Sequence, residues 1–168
     1  MDIRCEGLSD YAAIAEVNIL AFGQENEARL IEEIRGSQGY IPELSLVAEV
    51  DNVIVGHILF SYIDLIALES LQVLALAPLA VIPQFQKQGI GSALVKAGLE
   101  KANAIKEALV IVLGHPHFYT RFGFEPSINY KITSPFPVTE DVFMVKPLQI
   151  YQEKFQGKVV YPPAFLTV

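Results

Sequence analysis

The chain has one cysteine, Cys5, in 168 residues, so no disulfide can form within it. That usage suits a reducing cytoplasm. Charge is also scarce. Only 18% of residues are Asp, Glu, Lys or Arg, and acids outnumber bases 19 to 12, leaving a formal net charge of −7. A nucleic-acid-binding surface needs a basic face, so that partner class is not expected. Long unbroken apolar runs are missing too. The longest uncharged stretch, Ser70 to Gln86, is interrupted by Pro78 and Pro83 and is too short for a membrane span. Asp2, Arg4 and Glu6 surround no apolar core, so no secretory signal is expected at the start. Repeats, low-complexity tracts and linkers are absent. What is abundant is apolar side chains, at 52%. One domain over residues 1–168, with a substantial core, is expected. The apolar excess fits either a well-buried sheet or a homodimer interface.

The pattern of those apolar residues alternates between strand and helix periods. A first strand is expected near Asp2 to Glu6. Helices are expected over Ser9–Phe22, capped by Ser9 or Asp10, and over Glu25–Arg35, ending at Gly36. Leu44–Val50 and Val53–Tyr62 read as a hairpin through Asp51-Asn52. Leu71–Val81 and Ala108–Leu113 read as buried strands, and Asp141–Pro147 as a last strand. Ile90, Ala93, Leu94 and Ala97 recur at helical spacing between the two buried strands, with Lys96, Glu100 and Lys101 on the opposite face. Antiparallel strands followed by a helical crossover predict an α/β fold with a mixed sheet.

The junction before that helix, Gln86-Lys87-Gln88-Gly89-Ile90-Gly91, is the most informative segment. The first N–H groups of a helix have no internal partner, and its dipole attracts anions there. Glycines let a ligand approach the backbone closely. A pyrophosphate meets both conditions. A Walker loop would need Lys before Ser or Thr, whereas Gly91 precedes Ser92. A dinucleotide fingerprint would need a third Gly where Leu94 stands, and a strand running directly into the first Gly, where Pro83 to Gln88 intervene.

The pattern Gln86-x-x-Gly89-x-Gly91 resembles the acetyl-CoA pyrophosphate loop of the GNAT superfamily of N-acetyltransferases. Downstream, Tyr119-Thr120-Arg121-Phe122-Gly123-Phe124 is similar to the Tyr-x-x-x-Gly-Phe signature that closes the same cofactor site. Phe22-Gly23, Glu27 to Leu30, Val55 to Ser61, Leu76 to Val81 and Val160 to Phe165 resemble a small bacterial, YhbS-like branch. One departure is the His in Gly114-His115-Pro116, where that branch would carry an Asp able to cap a short helix. The resemblance implies a GNAT fold, with a central mixed sheet of splayed strands flanked by helices. It implies acetyl-CoA as cosubstrate and an amine as acceptor. It places the cofactor against Leu79, Ala80, Val81, Gln86, Lys87, Gln88, Gly89, Ile90, Gly91 and Ser92. A bulge near Pro78 would free backbone amides at Leu79 to Val81 for the thioester's oxyanion.

Acetyl transfer to an amine needs a neutral nucleophile, an oxyanion donor, an acid for the leaving thiolate and two aligned substrates. The resemblance makes Tyr119 the acid, and a phenol is protonated at neutral pH. The base is open among Glu27, His57 and Glu69, or water. Glu27 could instead belong to a solvated helix face with Glu32 and Glu33, and His57 could be a core histidine. His115 and His117 do not make a metal site with one cysteine and no acidic partners nearby, and no metal is expected. Two other classes stay open: a non-catalytic protein that holds acyl-CoA to regulate or scaffold a partner, and a dinucleotide-binding protein.

Overall fold

The computed structural model describes residues 1–167. β1 (Asp2–Cys5) lies antiparallel to β2 (Ser45–Val50), which turns into β3 (Val53–Ile66) through Asp51-Asn52. Both turn residues have positive φ, 50° and 64°. That is the type I′ geometry whose twist matches the strands it joins, and Asp and Asn tolerate it better than bulkier residues. β3 pairs antiparallel with β4 (Ser70–Val81). A crossover helix leads to β5 (Leu109–Leu113), parallel to β4. The sheet is therefore mixed. It continues through β6 (Glu125–Pro126), β7 (Ile132–Thr133), β8 (Phe143–Pro147) and β9 (Gly157–Val160), in the order β1-β2-β3-β4-β5-β8-β6. β9 pairs with β3 at Asp64 to Ile66 and with β7. The strand expected near residues 141–147 is β8, but it is not the last. β9 follows it, and two-residue strands such as β6 and β7 are too short to carry a period.

Three longer helices complete the frame: α1 (Tyr11–Phe22), α2 (Asn26–Arg35) and α3 (Ile90–Ala104). Asp10 precedes α1 without capping it. Its carboxylate instead accepts the Gly7 N–H at 2.7 Å and pairs with Arg4. Gly36 ends α2 with φ −85°, not in the left-handed cap conformation. Helices and loops cover both faces of the sheet, so alternate residues of β4 and β5 enter different cores. Leu74, Leu76, Val110 and Val112 pack with Phe60 and the α3 residues Leu94 and Val95. Val73, Ala75, Leu109 and Ile111 pack with Phe143 and Val159. A strand buried on both faces reads as a continuous apolar run, which is how both appear in the sequence.

His57 lies in β3 and is fully buried, so it cannot meet an acceptor from outside. Its Nε2 stands 3.1 Å from Ser45 Oγ and 3.9 Å from Glu6 Oε1. Arg35 donates to both Glu6 oxygens, at 3.0 and 2.8 Å, and Tyr40 donates to Oε2. Burial pushes the Glu6 carboxyl up, but the hydrogen bonds from Arg35, Tyr40 and Ser45 outweigh it and hold the group below its ordinary value. For His57 burial wins, and the imidazole falls to about 4 despite the Glu6 charge. The cluster ties β1 and α2 to the centre of the sheet, and His57 belongs to it as a neutral core residue.

A histidine depressed in the folded state and normal in the unfolded chain makes the unfolded state bind more protons between the two values. Its stabilising contribution is intact above about pH 6.5 and is lost as pH falls toward 4. Thermal melts should therefore be flat near pH 7.5 and fall between pH 6.5 and 4.5, and His57→Gln should flatten that acid limb. A limb of unchanged slope in the variant would mean that His57 is not its source.

Candidate active site

β4 and β5 stay paired for only two residue pairs, Leu74 with Val110 and Ala75 with Ile111, and then part. Just past that point β4 bulges. Ile58 pairs with Leu79 and Phe60 with Leu76, so Ala77 and Pro78 face Leu59 alone. Pro78 is thus not on a sheet edge. It sits in a central strand, at a bulge that needs no N–H from it. Beyond the bulge the Ile82 N–H donates to Val55 in β3 at 2.9 Å. Backbone groups alternate along a strand, so those of Ala80 also face β3. Those of Leu79 and Val81 face the gap left by β5.

One cavity, of about 540 Å³, opens at the far end of this gap. Leu79, Val81, Gln86, Lys87, Gly89, Gly91 and Ser92 line it, seven of the ten residues expected at the cofactor. The other three turn away. Ala80 and Ile90 are buried in the core, and the Gln88 side chain donates to the Gln84 carbonyl at 3.2 Å. Gln86 Nε2 donates to the Val81 carbonyl at 2.9 Å and so fastens the loop to β4. Lys87 and Gly89 have φ of 62° and 88°. A Cβ at Gly89 would meet nothing within 4 Å, so glycine is required there by its conformation and not by room in the protein. No acidic side chain stands in the first turn of α3 and no side chain caps it. Its leading N–H groups are left for an anion.

Besides Tyr119, four further residues line this cavity without having been expected at the cofactor: Phe85, His115, Phe118 and Arg121. Arg121 reaches across to Ser92 Oγ at 3.3 Å, and its guanidinium lies 4.8 Å from the Phe118 ring centre. Its signal was available, since it falls inside the Tyr-to-Phe motif two residues after Tyr119. Lys96, in contrast, is exposed on the outer face of α3.

Tyr119 ends the short helix α4 (Pro116–Tyr119). His115 precedes that helix without a side-chain capping bond, and Pro116 starts it. The Tyr119 ring packs edge-to-face on Phe118 and Phe124, at 4.9 and 5.5 Å. It is 8% exposed, and burial pushes its phenol up to about 12. A second cavity, of about 430 Å³, lies on its other side. Leu79, His115 and Tyr119 line both cavities.

Glu27 lines the second cavity. It is 8% exposed, so it does not belong to a solvated face with its exposed neighbours Glu32 and Glu33. Gln24 Nε2 holds both its oxygens, at 3.1 and 3.2 Å. Glu69 lies elsewhere, exposed at the tip between β3 and β4, and His57 lines neither cavity. Among the described residues, no group of three or more His, Cys, Asp or Glu is placed to hold a metal. No helix among them is long and apolar enough to cross a membrane.

The architecture around the gap can be compared with known proteins. Residues 42–126 match the family model described as the acetyltransferase (GNAT) domain. The chain belongs to the GNAT acetyltransferases. It is 38% identical over 135 residues to YjhQ of Escherichia coli K12, called an uncharacterized N-acetyltransferase, covering 79% of this chain and 75% of that protein. It is 36% identical over 146 residues to the similarly named YhbS of the same strain, covering 86% of each. The crystal structure of E. coli YhbS in complex with CoA superposes with a TM-score of 0.89 at 33% identity, over 98% of this chain and 91% of that one. A GNAT acetyltransferase of Brucella melitensis in complex with acetyl-CoA gives 0.80 at 30%, over 98% and 97%.

The GNAT match divides the site. Every residue lining the loop cavity falls within 42–126. The second cavity takes Phe22, Glu27 and Leu30 from before that segment, and Phe136, Tyr161 and Phe165 from after it. What seats Tyr119 between the two is Gly114. A Cβ there would stand 2.5 Å from Tyr119 Cε2. Gly114→Ala should therefore force the ring to move and cost about 1–3 kcal/mol, the usual range for overpacking. A lower denaturant midpoint at unchanged slope would register it. An unchanged midpoint would show that the ring has room to give.

Proposed function

We propose that this GNAT protein transfers acetyl from acetyl-CoA to a primary amine by direct attack, with Tyr119 as general acid. The observation that carries the reading is the position of Tyr119 in the wall shared by two cavities, one beside an uncapped helix start and one beside a buried carboxylate. The CoA and acetyl-CoA bound in two similar solved structures support acyl-CoA as the cosubstrate, and the uncapped start of α3 favours the first cavity for it. The pyrophosphate takes the N–H groups at the start of α3, with Lys87 and Arg121 supplying positive charge. The pantetheine arm runs along the unpaired edge of Leu79 and Val81, and one of their N–H groups receives the oxyanion. Ala80 has no part in this, because its backbone is directed at β3.

The amine enters from the second cavity. Glu27 accepts its proton, and the nitrogen lone pair forms the new bond to the carbonyl carbon. As the tetrahedral intermediate collapses, the C–S bond breaks and the electron pair goes to sulfur. Tyr119 donates to that sulfur, and the amide's remaining excess proton restores the phenol. A phenol lifted to about 12 keeps its proton throughout the assay range, so Tyr119 is always in the donating form. A protein that only held acyl-CoA would have no use for this alignment.

CoA and acetyl-CoA should raise the melting temperature, and NAD should not. Ligand at 100 times its dissociation constant adds about 2.7 kcal/mol to the native state. A side chain at Gly91 would project among Phe118, Leu79 and Val81, all in the loop-cavity wall, at ordinary contact distances of 3.6 to 3.9 Å. Gly91→Val should therefore stay folded yet lose CoA affinity. An unchanged dissociation constant in the folded variant would remove the loop from the cofactor site.

Tyr119→Phe keeps the ring packing and deletes the proton. The acetyl-transfer rate constant, measured before the steady state so that product release cannot mask it, should fall ten- to ten-thousand-fold, roughly. Acetyl-CoA affinity should change little. Because the phenol does not ionise until about pH 12, wild-type turnover should show no falling alkaline limb up to about pH 10. Turnover of the variant within twofold of wild type would take Tyr119 out of the mechanism.

A further inference from the structure

The second cavity carries information about the acceptor itself. Its charge is unusually simple. Glu27 is the one acidic side chain lining it, and neither Lys nor Arg contributes, among the described residues. That carboxylate is 8% exposed and is held only by the neutral amide of Gln24. No cation pairs with it among the described residues. A buried carboxylate without a cation is costly, and an incoming ammonium is the partner that relieves the cost.

Apart from His115, the rest of the wall is mostly apolar, with five aromatic rings. Phe136 stacks on Tyr161 at 5.4 Å with 25° between planes, and Tyr161 meets Phe165 at 5.0 Å. Phe22 and Phe136 remain 41% and 39% exposed at the cavity, although both are large aromatics. Pro78 and Leu113 add to the same surface. At about 430 Å³ the space is within the usual size of a small-molecule site.

Resting on the N-acetyltransferase reading above, we propose that this cavity selects a small primary amine bearing one positive charge on an apolar, aromatic-sized body. A second ammonium, as in a polyamine, would be set against apolar walls with no carboxylate to meet it. A carboxylate beside the amine, as in a free amino acid, would be repelled by Glu27. Six lining residues, Phe22, Glu27, Leu30, Phe136, Tyr161 and Phe165, lie outside the segment that holds the cofactor cavity. Acceptor choice is therefore built in part by stretches of the chain that do not line the cofactor cavity.

The test compares four acceptors with the full chain and acetyl-CoA: 2-phenylethylamine, phenylalanine, spermidine and a tripeptide with N-terminal Phe. The first should exceed each of the others in kcat/KM by at least about tenfold, the scale on which an unpaired charge or a lost pocket contact discriminates. Glu27→Gln should raise KM for 2-phenylethylamine about tenfold and leave KM for acetyl-CoA within about twofold. Tyr161→Ala should lower kcat/KM for 2-phenylethylamine and spare ethylamine, which cannot reach that wall. Thermal melts establish that each variant is folded. Turnover that favours spermidine, phenylalanine or the peptide overturns the acceptor class and leaves the transferase reading standing. If no amine is acetylated, that reading fails, and calorimetry on the CoA complex decides the class separately. Binding of 2-phenylethylamine that weakens about tenfold in Glu27→Gln upholds it. Absence of binding, or equal binding of spermidine, overturns it.

Discussion

Backbone amides in a sheet must find partners, and β4 and β5 supply each other with them for only two residue pairs. The gap beside β4 follows from where that pairing stops. Beyond Ala75 and Ile111 the strands part, and the edge of β4 at Leu79 and Val81 is left facing open space. The bulge at Ala77-Pro78 re-aims that edge just after the parting. α3 begins beyond the end of β4, with no side chain capping it, and α4 begins three residues beyond β5, with Tyr119 at its end. One local failure of strand pairing thus creates a gap, lines it with donors and brings a phenol to its middle.

The two cavities differ in how they are assembled. The loop cavity needs residues 79 to 121 alone, which form one strand–loop–helix–strand–helix run. Its shape depends on short-range devices: a left-handed Gly89, the Gln86 side chain fastened to Val81, and Arg121 resting against Phe118. The other cavity adds residues from both ends of the chain to the stretch between Ala75 and Tyr119. α1 and α2 bring Phe22 and Glu27, and the segment after β9 brings Tyr161 and Phe165. β9 pairs with β3 and returns the C-terminal segment to the sheet, and Phe165 then packs against α2.

The cluster of Glu6, Arg35, Tyr40, Ser45 and His57 serves the second cavity indirectly. It joins the residue after β1 to α2 through charge-assisted hydrogen bonds, and β2 to β3 through the neutral Ser45–His57 contact, in a buried place. α2 is also the helix that carries Glu27, so the cluster helps to set where that carboxylate stands. A histidine with a useful ordinary pKa looks catalytic in a sequence. Here its environment makes it neutral and inaccessible.

Local signals were legible without the structure. The I′ turn at Asp51-Asn52 and the helix opened by Gly89 depend on backbone preferences of neighbouring residues. The Gln86-to-Ser92 loop and the motif starting at Tyr119 were legible for the same reason, and so was the mixed sheet, because both-face burial writes β4 and β5 as unbroken apolar runs. Other features depend on contacts between distant segments, which leave no period in a sequence. The two-residue strands β6 and β7 exist only because a neighbour offers an edge. Whether Glu27 is solvated and whether His57 reaches an acceptor depend on what packs over them. The residue types at 27, 57 and 119 were set by the sequence; which of them share a cavity was decided by the packing of α2 on β2 and β3 and by the early parting of β4 from β5.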